Sequence, residues 1–441
     1  MTMIIVAAVV VLVASALGYL LLIAPVGCSY KAKILGSAYF VTGRPIDAER
    51  SPEISADSYM ILRLFRARVD ETNKRVTASL FGLRSRTSEF VPGLGAVLTC
   101  GLTPPRPAPE PPGGDDPWPA PVSTRPKLNT LLDGCFPENN PRRLRRTRAV
   151  LVLHDGIIVA ERYAPGFSKA TPLPGWSMTK AVTGALVGIL VKEGKLKLSD
   201  KNLLPEWSND ARREISLEDL LRMRSGLKFT EKYENPLSDV NQMLWNNADC
   251  SAYAASRPAE HPPGAHWQYS SGTTNIVCRI IRRAVGEKDY HSFPRRALFG
   301  PLGMSTALME TDAGGTFVGS SFLFASARDW ARFGLLYAQD GVWEGQRILP
   351  EGWAAFSASP TPESNGVYGA HWWLKLQKEL GGETEAAYRI PSDAFFALGH
   401  EDQSVTVIPS RKLVAVRLGL SIYIDAWNHA EFTTGLLDAL E

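Results

Sequence analysis

The chain has 441 residues, 45% of them hydrophobic and 21% charged, which is typical of a globular protein with one large or two to three ordinary domains. Its net charge of +3 is small and evenly spread, which argues against a nucleic-acid partner. The histidines are scattered, the cysteines lack metal-binding spacing and no His-Glu-x-x-His run occurs, so we expect no metal and no cofactor and disfavour a zinc hydrolase.

An uncharged apolar run occupies the start of the chain, from Met3 to Gly27, and it is long enough to cross a bilayer as a helix. The basic start and the short apolar core of a secretory signal are both missing. We therefore predict a retained single-pass anchor over residues 1–27, through which the protein contacts the membrane. Lipidation of Cys28 is an alternative that Pro25 disfavours.

The residues that flank this anchor do not determine its orientation in the membrane. Lys31 and Lys33 follow the run and no lysine or arginine precedes it, so the positive-inside rule would keep the rest of the chain in the cytoplasm. Long domains can override that bias, because they are translocated largely regardless of charge.

A small segment and a spacer follow the anchor. Residues 28–103 contain stretches typical of two or three short strands, with turns at Gly82 and at Pro92 to Gly95. Residues 104–126 are rich in proline and lack the apolar surface needed to fold. We expect this linker either to hold the next domain away from the membrane or to lie across its surface.

The body of the protein, residues 127–441, starts and ends with β-rich sequence. Two such runs flank Asp155-Gly156, a strong hairpin signal, and an apolar helix is expected from about Met178 to Val191. A mostly helical and loop-rich stretch spans residues 198 to about 358. Strands return in AFFALG, SVTVIP and KLVAVRLGL, before a final helix from Trp427 to Leu440. This order predicts an α/β fold of the α+β type, with an antiparallel β-sheet flanked by helices and a mostly helical subdomain.

Ser177 and Lys180 stand at the start of the apolar helix. Lys180 lies off the main apolar stripe, and its side of the helix offers no counter-charge, so burial would lower its pKa and make it a usable base. Ser177 is three residues earlier, at a helix N-terminus whose free N–H groups favour a developing anion. The pair therefore has the spacing of a nucleophile and its base. A simple helix cap and a lysine that extends to solvent are the structural alternatives.

Six segments of the body together resemble a known superfamily. They are SMTK (from Ser177), LLRMRSGL (from Leu220), YSSGTTN (from Tyr269), PLGM (from Pro301), SFLFASARDWARFGLL (from Ser321) and LGHEDQ (from Leu398). Their order resembles that of serine hydrolases of the class C β-lactamase type, a superfamily that includes penicillin-binding D,D-peptidases, esterases and 6-aminohexanoate-dimer hydrolases. YSSGTTN and GHEDQ are most similar to the motifs of the last group. The resemblance covers residues 148–441 and implies a β-lactamase/transpeptidase-like fold.

The resemblance implies catalytic roles for three residues. Ser177 matches the nucleophile that becomes acylated. Lys180 matches the lysine that keeps the hydrogen-bonded groups around the nucleophile in the protonation states that catalysis needs. Tyr269 matches the tyrosine that relays a proton, as base in acylation and as acid to the leaving group. Because a phenol is a poor base at its usual pKa, we expect Lys180 to stabilise the phenolate of Tyr269.

The resemblance also assigns residues around the substrate. His400 takes the position of the cationic or donor residue of the third motif, and the backbone N–H groups of Gln403 and Ser177 would form the oxyanion hole. Asp402 stands where the motif usually has glycine, which adds a side chain near the substrate path. Tyr233 resembles a loop tyrosine that closes over the amide substrate in 6-aminohexanoate-dimer hydrolases.

The identity of the substrate is narrowed by two departures from the family pattern. Ser271 stands where β-lactamases and D,D-peptidases prefer asparagine, and with Asp402 it favours a small amide or ester over penicillins. The predicted function is a membrane-anchored serine hydrolase that forms an acyl-enzyme on Ser177, with its catalytic domain on the extracytoplasmic (periplasmic) side, as the family implies. The alternatives are a non-hydrolytic penicillin-recognition or peptide-binding sensor, and a D,D-peptidase or β-lactamase.

Overall fold

The computed structural model describes residues 2–44, 51–54, 60–106, 116, 118–119, 121, 125–376, 388–423 and 425–441. Its helices are α1 (Thr2–Gly36), α2 (Pro126–Asp133), α3 (Thr179–Lys192), α4 (Leu217–Leu221), α5 (Asp239–Asn246), α6 (Cys250–Ala255), α7 (Ser271–Val285), α8 (Ala327–Ala338), α9 (Trp353–Ser357) and α10 (His429–Leu440). Its strands are β1 (Phe65–Asp70), β2 (Arg75–Leu80), β3 (Arg84–Val91), β4 (Gly95–Leu98), β5 (Ala149–His154), β6 (Ile157–Tyr163), β7 (Leu173–Pro174), β8 (Leu308–Met309), β9 (Leu323–Ala325), β10 (Val342–Trp343), β11 (Gln346–Arg347), β12 (Phe395–Gly399), β13 (Gln403–Ile408) and β14 (Leu413–Leu418).

The central sheet is antiparallel, with its strands in the order β12-β13-β14-β5-β6. β5 and β6 form the hairpin predicted at Asp155 and Gly156, whose φ angles of 52° and 77° suit a tight hairpin turn. β14 pairs with β5, so that Leu418 lies opposite Ala149. The sheet is therefore assembled from both ends of the body, and the predicted fold class is confirmed.

Both faces of this sheet are buried, which explains why β5 is apolar at almost every position. Leu151 and Leu153 belong to the larger core, on the face covered by α8. Val150 and Val152 belong to a second core that includes Leu128 of α2 and residues of α10. Alternate residues of one strand thus hold the two layers of helices in place.

Helix α3 lies at the centre of the mostly helical region and is buried on every side from Thr179 to Leu190. It packs against α7, and Gly188 allows a close approach of Trp353, because a Cβ there would lie 2.6 Å from the indole ring. The first turn of α3, Thr179 to Val182, is likewise buried.

Helix α1 is continuous past residue 27, where the anchor was predicted to end. Its first part is exposed and apolar, and by length and composition the helix could cross a membrane. From Ile23 onward, α1 packs against the small sheet and α5. Cys28 is fully buried in this packed part, so its thiol is out of reach of a lipidating enzyme in the folded protein.

The small N-terminal sheet is antiparallel and follows chain order, β1-β2-β3-β4. β2 to β4 match the predicted strands and turns. β1 is an additional strand, and in its sequence FRARVD only Phe65 is fully buried. The arginines interrupt the alternation of apolar and polar residues that usually indicates a strand, so the sequence did not predict β1.

Buried polar contacts fix this N-terminal unit to the body. Lys33 of α1 forms an ion pair of 2.5 Å with Glu310, and the side chains of both residues are almost inaccessible to solvent. Glu310 also accepts hydrogen bonds from the hydroxyl of Ser37 (3.0 Å) and the backbone N–H of Ala96 (2.7 Å). One carboxylate of the body therefore binds both α1 and the small sheet.

The described residues of the proline-rich linker lie across the body, which is one of the two arrangements expected from the sequence. Asp116 forms ion pairs with Arg328 and Arg332 of α8, and the guanidinium of Arg332 lies over the ring of Trp118, 4.3 Å from its centroid. These contacts hold the linker against the helix that covers the central sheet.

Candidate active site

Ser177 lies in a single 3₁₀ turn, Trp176–Met178, directly before α3. Trp176 has a positive φ of 49°, and its carbonyl accepts a 2.6 Å hydrogen bond from the hydroxyl of Thr179, which closes the turn. Gly175 is required just before it, since a Cβ there would lie 2.2 Å from the ring of Trp330. This tight turn presents the Ser177 hydroxyl at the start of the buried helix, where the sequence predicted it.

Lys180 is 1% exposed, and its ammonium is held by three oxygens. Its Nζ donates hydrogen bonds to Ser177 Oγ (2.9 Å), to Ser271 Oγ (3.1 Å) and to the carbonyl of Ser320 (2.9 Å). Burial lowers the pKa of Lys180 to about 8, although the carboxylate of Glu231 acts in the opposite direction. The predicted serine–lysine pair is thus in direct contact, and the amine is desolvated as expected.

Tyr269 completes this group, and its ring lies against the ammonium of Lys180, 4.8 Å from Nζ to the ring centroid. The ring also stacks on Trp373 at 5.3 Å. Burial raises the pKa of Tyr269, the charge of Glu231 raises it further, and a hydrogen bond with Ser177 has the opposite effect. Desolvation and a nearby carboxylate both favour the neutral phenol, so their effect on the pKa of Tyr269 opposes the stabilisation of a phenolate that was expected from Lys180.

Glu231 contacts the site through Ser271 and Tyr233, although the sequence did not indicate it. It accepts hydrogen bonds from the hydroxyl (2.6 Å) and backbone N–H (3.0 Å) of Ser271 and from the hydroxyl of Tyr233 (2.7 Å). Ser271, which begins α7, thereby connects Glu231 to Lys180. An acidic residue two positions before Tyr233 was the only signal in the sequence, and nothing local indicates that this loop reaches α7.

His400 and Tyr233 form a stacked pair beside Ser177, with ring centroids 5.9 Å apart. His400 also meets the edge of Trp176 at 5.4 Å. The loop that carries Tyr233 is fixed by Asn241, whose side-chain amide donates a 2.9 Å hydrogen bond to the Tyr233 carbonyl. Both predicted residues therefore border the nucleophile.

The turn after His400 adopts a strained backbone. Glu401 and Asp402 both have left-handed φ angles, 63° and 60°, in a conformation that favours glycine. A carboxylate oxygen of Asp402 lies 3.7 Å from the Nε2 of His429, and the other has no hydrogen-bond partner among the described residues. The sequence identified Asp402 as the departure from glycine, and the structure adds Glu401.

Gln403 is fully buried and its side chain holds this turn together. Its amide nitrogen donates to the carbonyls of His400 (3.2 Å), Glu401 (3.1 Å) and Gly419 (2.7 Å). Gln403 pairs with Gly399 at the start of β13. Gly399 in turn approaches the Ser177 turn so closely that a Cβ on it would lie 2.2 Å from the Gly175 carbonyl.

Two cavities meet at Ser177, and both are also lined by Tyr233 and His400. The first, the apolar cavity, has a volume of about 260 Å³ and is lined by Tyr19, Ile23, Val26, Leu62, Phe65 and Trp245 among others. The second, the aromatic cavity, has a volume of about 520 Å³ and is lined by Trp267, Tyr269 and Trp373 together with Glu231 and Asp402. Among the described residues, no group of three or more histidine, cysteine or acidic side chains is placed to hold a metal ion.

An antiparallel sheet with a serine and a lysine at the start of the buried helix defines a β-lactamase/transpeptidase-like fold. A family model described as Beta-lactamase matches residues 136–419, and the chain belongs to this family.

Individual relatives agree with this assignment. The 6-aminohexanoate-dimer hydrolase of Paenarthrobacter ureafaciens is 25% identical over 252 residues, which is 52% of this chain and 64% of that protein, less than two thirds of its length. A penicillin-binding protein homologue from Caulobacter crescentus has a similar structure, with a TM-score of 0.56 at 15% identity over 73% of this chain and 99% of that one. A family VIII carboxylesterase gives a TM-score of 0.54 at 14% identity, over 73% and 98% of the two chains. At these identities the two structures show a shared fold.

Proposed function

We propose that the protein is a membrane-anchored serine hydrolase that cleaves an amide or ester bond through an acyl-enzyme on Ser177. The observation that carries the proposal is the 2.9 Å hydrogen bond between the buried Nζ of Lys180 and the Oγ of Ser177. A lysine desolvated beside a serine is a base placed to activate a nucleophile, and both cavities give substrate access to that serine.

Lys180 acts as the base of the acylation step. With its pKa lowered to about 8, a share of the side chain is neutral amine near neutral pH. That amine accepts the proton of Ser177 as the Oγ attacks the carbonyl carbon. The backbone N–H groups of Ser177 and Gln403 are the proposed donors to the resulting oxyanion, each contributing about 3 to 4 kcal/mol to the stability of the transition state. The close approach of Gly399 to the Ser177 turn supports this arrangement.

Tyr269 acts as the acid that protonates the leaving group. Because its pKa is raised, the phenol keeps its proton until the bond to the leaving nitrogen or oxygen breaks. Lys180 then returns the proton of Ser177 to the phenolate, which restores both groups. A water molecule attacks the acyl-enzyme next: its oxygen joins the acyl carbon, one proton remains with the acid product, and the other returns to Ser177 through Lys180.

A fluorophosphonate probe and short p-nitrophenyl esters test this proposal on the full chain in detergent. We expect covalent labelling and turnover in the wild type, and loss of both in Ser177→Ala. Ser168→Ala, which changes an exposed serine, is the matched control and should behave as the wild type. An intact Ser177→Ala protein that still hydrolyses the esters at the full rate would reject the assignment.

A non-hydrolytic penicillin or peptide sensor is the second candidate, and the observation that favours it is Asp402 beside the aromatic cavity. The side chain of Asp402, present where the motif usually has glycine, would take up space that the water needed to release the acyl group must enter. Stoichiometric labelling by a fluorescent penicillin without turnover of any ester would favour the sensor, whereas multiple turnovers per Ser177 would favour the hydrolase.

The proposed anchor is the exposed apolar part of α1, and the proposed location of the body is extracytoplasmic. Lys31 and Lys33 are buried and bonded to Leu62, Phe65 and Glu310, so these lysines have a structural role apart from orientation. Cell fractionation with carbonate extraction tests the anchor. Alkaline phosphatase fused after Glu441 tests the side of the membrane, and an inactive fusion would place the body in the cytoplasm.

A further inference from the structure

The apolar cavity beside Ser177 is completed by the same helix that forms the proposed membrane anchor. Ile23, Val26 and Gly27 of α1 form one wall, while Leu62, in the 3₁₀ turn before β1, and Phe65 of β1 form another. Ile23, Val26, Leu62 and Phe65 are each less than 9% exposed, so this cavity belongs to the packed interior. Its far end reaches Tyr19, on the part of α1 that leaves the protein.

The lining of the cavity extends to the point where α1 passes from the interior into its surroundings. Tyr19 is 49% exposed and Leu22 is 57% exposed, whereas Ile23 is 3% exposed. If the preceding apolar turns cross a bilayer, Tyr19 takes the interfacial position that tyrosine favours in membrane proteins. The cavity then connects the bilayer surface with the nucleophile.

Exposed apolar side chains also occur at one end of the small sheet. Leu64, Phe81 and Leu83 lie at the end of the small sheet where β1 and β3 begin, and each is at least 39% exposed. That end packs on α1 around Gly27, where a Cβ would lie 2.5 Å from the ring of Phe65. An apolar rim at one end of a domain, beside an apolar helix, is typical of a surface that contacts lipid.

The positions of the catalytic groups assign the two cavities to the two halves of a substrate. Tyr269 lines the aromatic cavity and, within the described part of the chain, does not line the apolar one. The leaving group that Tyr269 protonates therefore lies in the aromatic cavity, together with the charges of Glu231 and Asp402. The acyl group lies on the other side of Ser177, in the apolar cavity.

We propose that the substrate is a lipid-like ester or amide, whose long apolar acyl chain enters the apolar cavity from the bilayer. This inference rests on the proposed hydrolase function and names its substrate class. The products are the fatty acid and the free alcohol or amine, which gains the proton of Tyr269. Asp402 and Ser271 then limit the size of the leaving group. They do not limit the length of the acyl chain, which lies in the other cavity.

A series of p-nitrophenyl esters, the acetate, octanoate and laurate, tests the proposal on the full chain in lipid nanodiscs. We expect kcat/KM to rise up to about fourfold for each methylene that enters the cavity, because burial of each methylene is favourable. A value of kcat/KM that is flat or falls from acetate to laurate, while Ser177→Ala abolishes acetate hydrolysis, would overturn the lipid substrate and leave the hydrolase intact. Acetate hydrolysis that survives Ser177→Ala would instead reject the hydrolase itself.

Variants of the cavity wall provide the second measurement. Val26→Phe and Ile61→Phe each place a ring in the apolar cavity, and we expect the laurate-to-acetate ratio of kcat/KM to fall about tenfold. Ile61 is only half-buried, so this variant keeps the test valid if Val26→Phe fails to fold. Val9→Phe adds the same ring to an exposed position of α1 that does not line the cavity, and it should leave the ratio unchanged. Equal ratios in all of these proteins would contradict the assigned cavity.

Discussion

Lys180 donates a hydrogen bond to Ser177 and lies in contact with the ring of Tyr269, so one buried amine touches both of its proposed partners. We expect kcat/KM for a short ester to rise with pH and to level off above about pH 8, because only the neutral amine accepts the proton of Ser177. Lys180→Met should lower kcat/KM by about 10² to 10⁴ and abolish this dependence. A pH–rate profile measures both effects, and an unchanged profile in Lys180→Met would contradict the role of Lys180.

The same lysine makes folding stability depend on pH. Its pKa in the folded protein, about 8, is below the ordinary value of 10.5, so between these values the unfolded chain binds more protons. The free energy of unfolding therefore rises with pH in this window, by up to about 3 kcal/mol. Denaturation at pH 7.5 and pH 10 should show this gain in the wild type relative to Lys180→Met, which lacks the group. Equal changes in the two proteins would mean that Lys180 keeps its usual pKa.

Tyr269→Phe should separate amide from activated ester substrates. In the proposed mechanism the phenol protonates an amine leaving group, whereas p-nitrophenolate departs without a proton. We expect kcat for an amide to fall about 10² to 10⁴ and kcat for the p-nitrophenyl ester of the same acid to fall far less. The measurement is kcat of wild type and Tyr269→Phe on both substrates. An equal loss of kcat for the amide and the ester would show that Tyr269 acts before the leaving group departs.

Glu231→Gln should move the pH profile to lower pH. The carboxylate raises the pKa of Lys180, so its removal lowers the pKa below about 8 and the plateau is reached earlier. Gln retains hydrogen-bonding atoms for Ser271 and Tyr233, which limits the structural change. Glu260→Gln, at an exposed position, is the control with an unshifted profile. A shift of the profile to higher pH would contradict the prediction that Glu231 raises the pKa of Lys180.

The ion pair of Lys33 and Glu310 should matter far more for stability than its surface counterparts. Glu310→Gln leaves a buried cation without its carboxylate, and we expect a loss of about 3 to 5 kcal/mol in the free energy of unfolding. Glu214→Gln breaks the exposed pair with Lys201 and should cost less than about 1 kcal/mol. Denaturant titration of the full chain in detergent compares the two. Similar losses would show that Lys33 does not depend on Glu310.

Local signals in the sequence predicted the scaffold of the site. The Asp155-Gly156 turn, the apolar pattern of α3 and the three C-terminal strands each depend on neighbouring residues, and all are found in the structure. The contact of Ser177 with Lys180 was predictable for the same reason, because a three-residue spacing fixes it on a helix.

Contacts between distant segments could not be predicted in this way. Glu231 reaches the site through a loop that folds against α7, and the Ser320 carbonyl comes from 140 residues beyond Lys180. The raised pKa of Tyr269 depends on burial and on Glu231, which the sequence does not show. The sequence did not predict that α1 continues past residue 27, because Lys31 and Lys33 resemble the charges that flank a membrane span. The folded protein buries both lysines.

The proposed membrane tether and the proposed acyl-chain pocket share one helix, because α1 is both the apolar segment that could cross a bilayer and a wall of the cavity beside Ser177. Trimming the chain ahead of residue 127 to obtain a water-soluble fragment would therefore open that wall and strip Glu310 of its cation. Substrate preferences measured on such a fragment would be those of an enzyme whose apolar cavity lacks the wall formed by α1. Purification of the entire polypeptide with lipid or detergent is accordingly the condition under which its natural specificity is preserved.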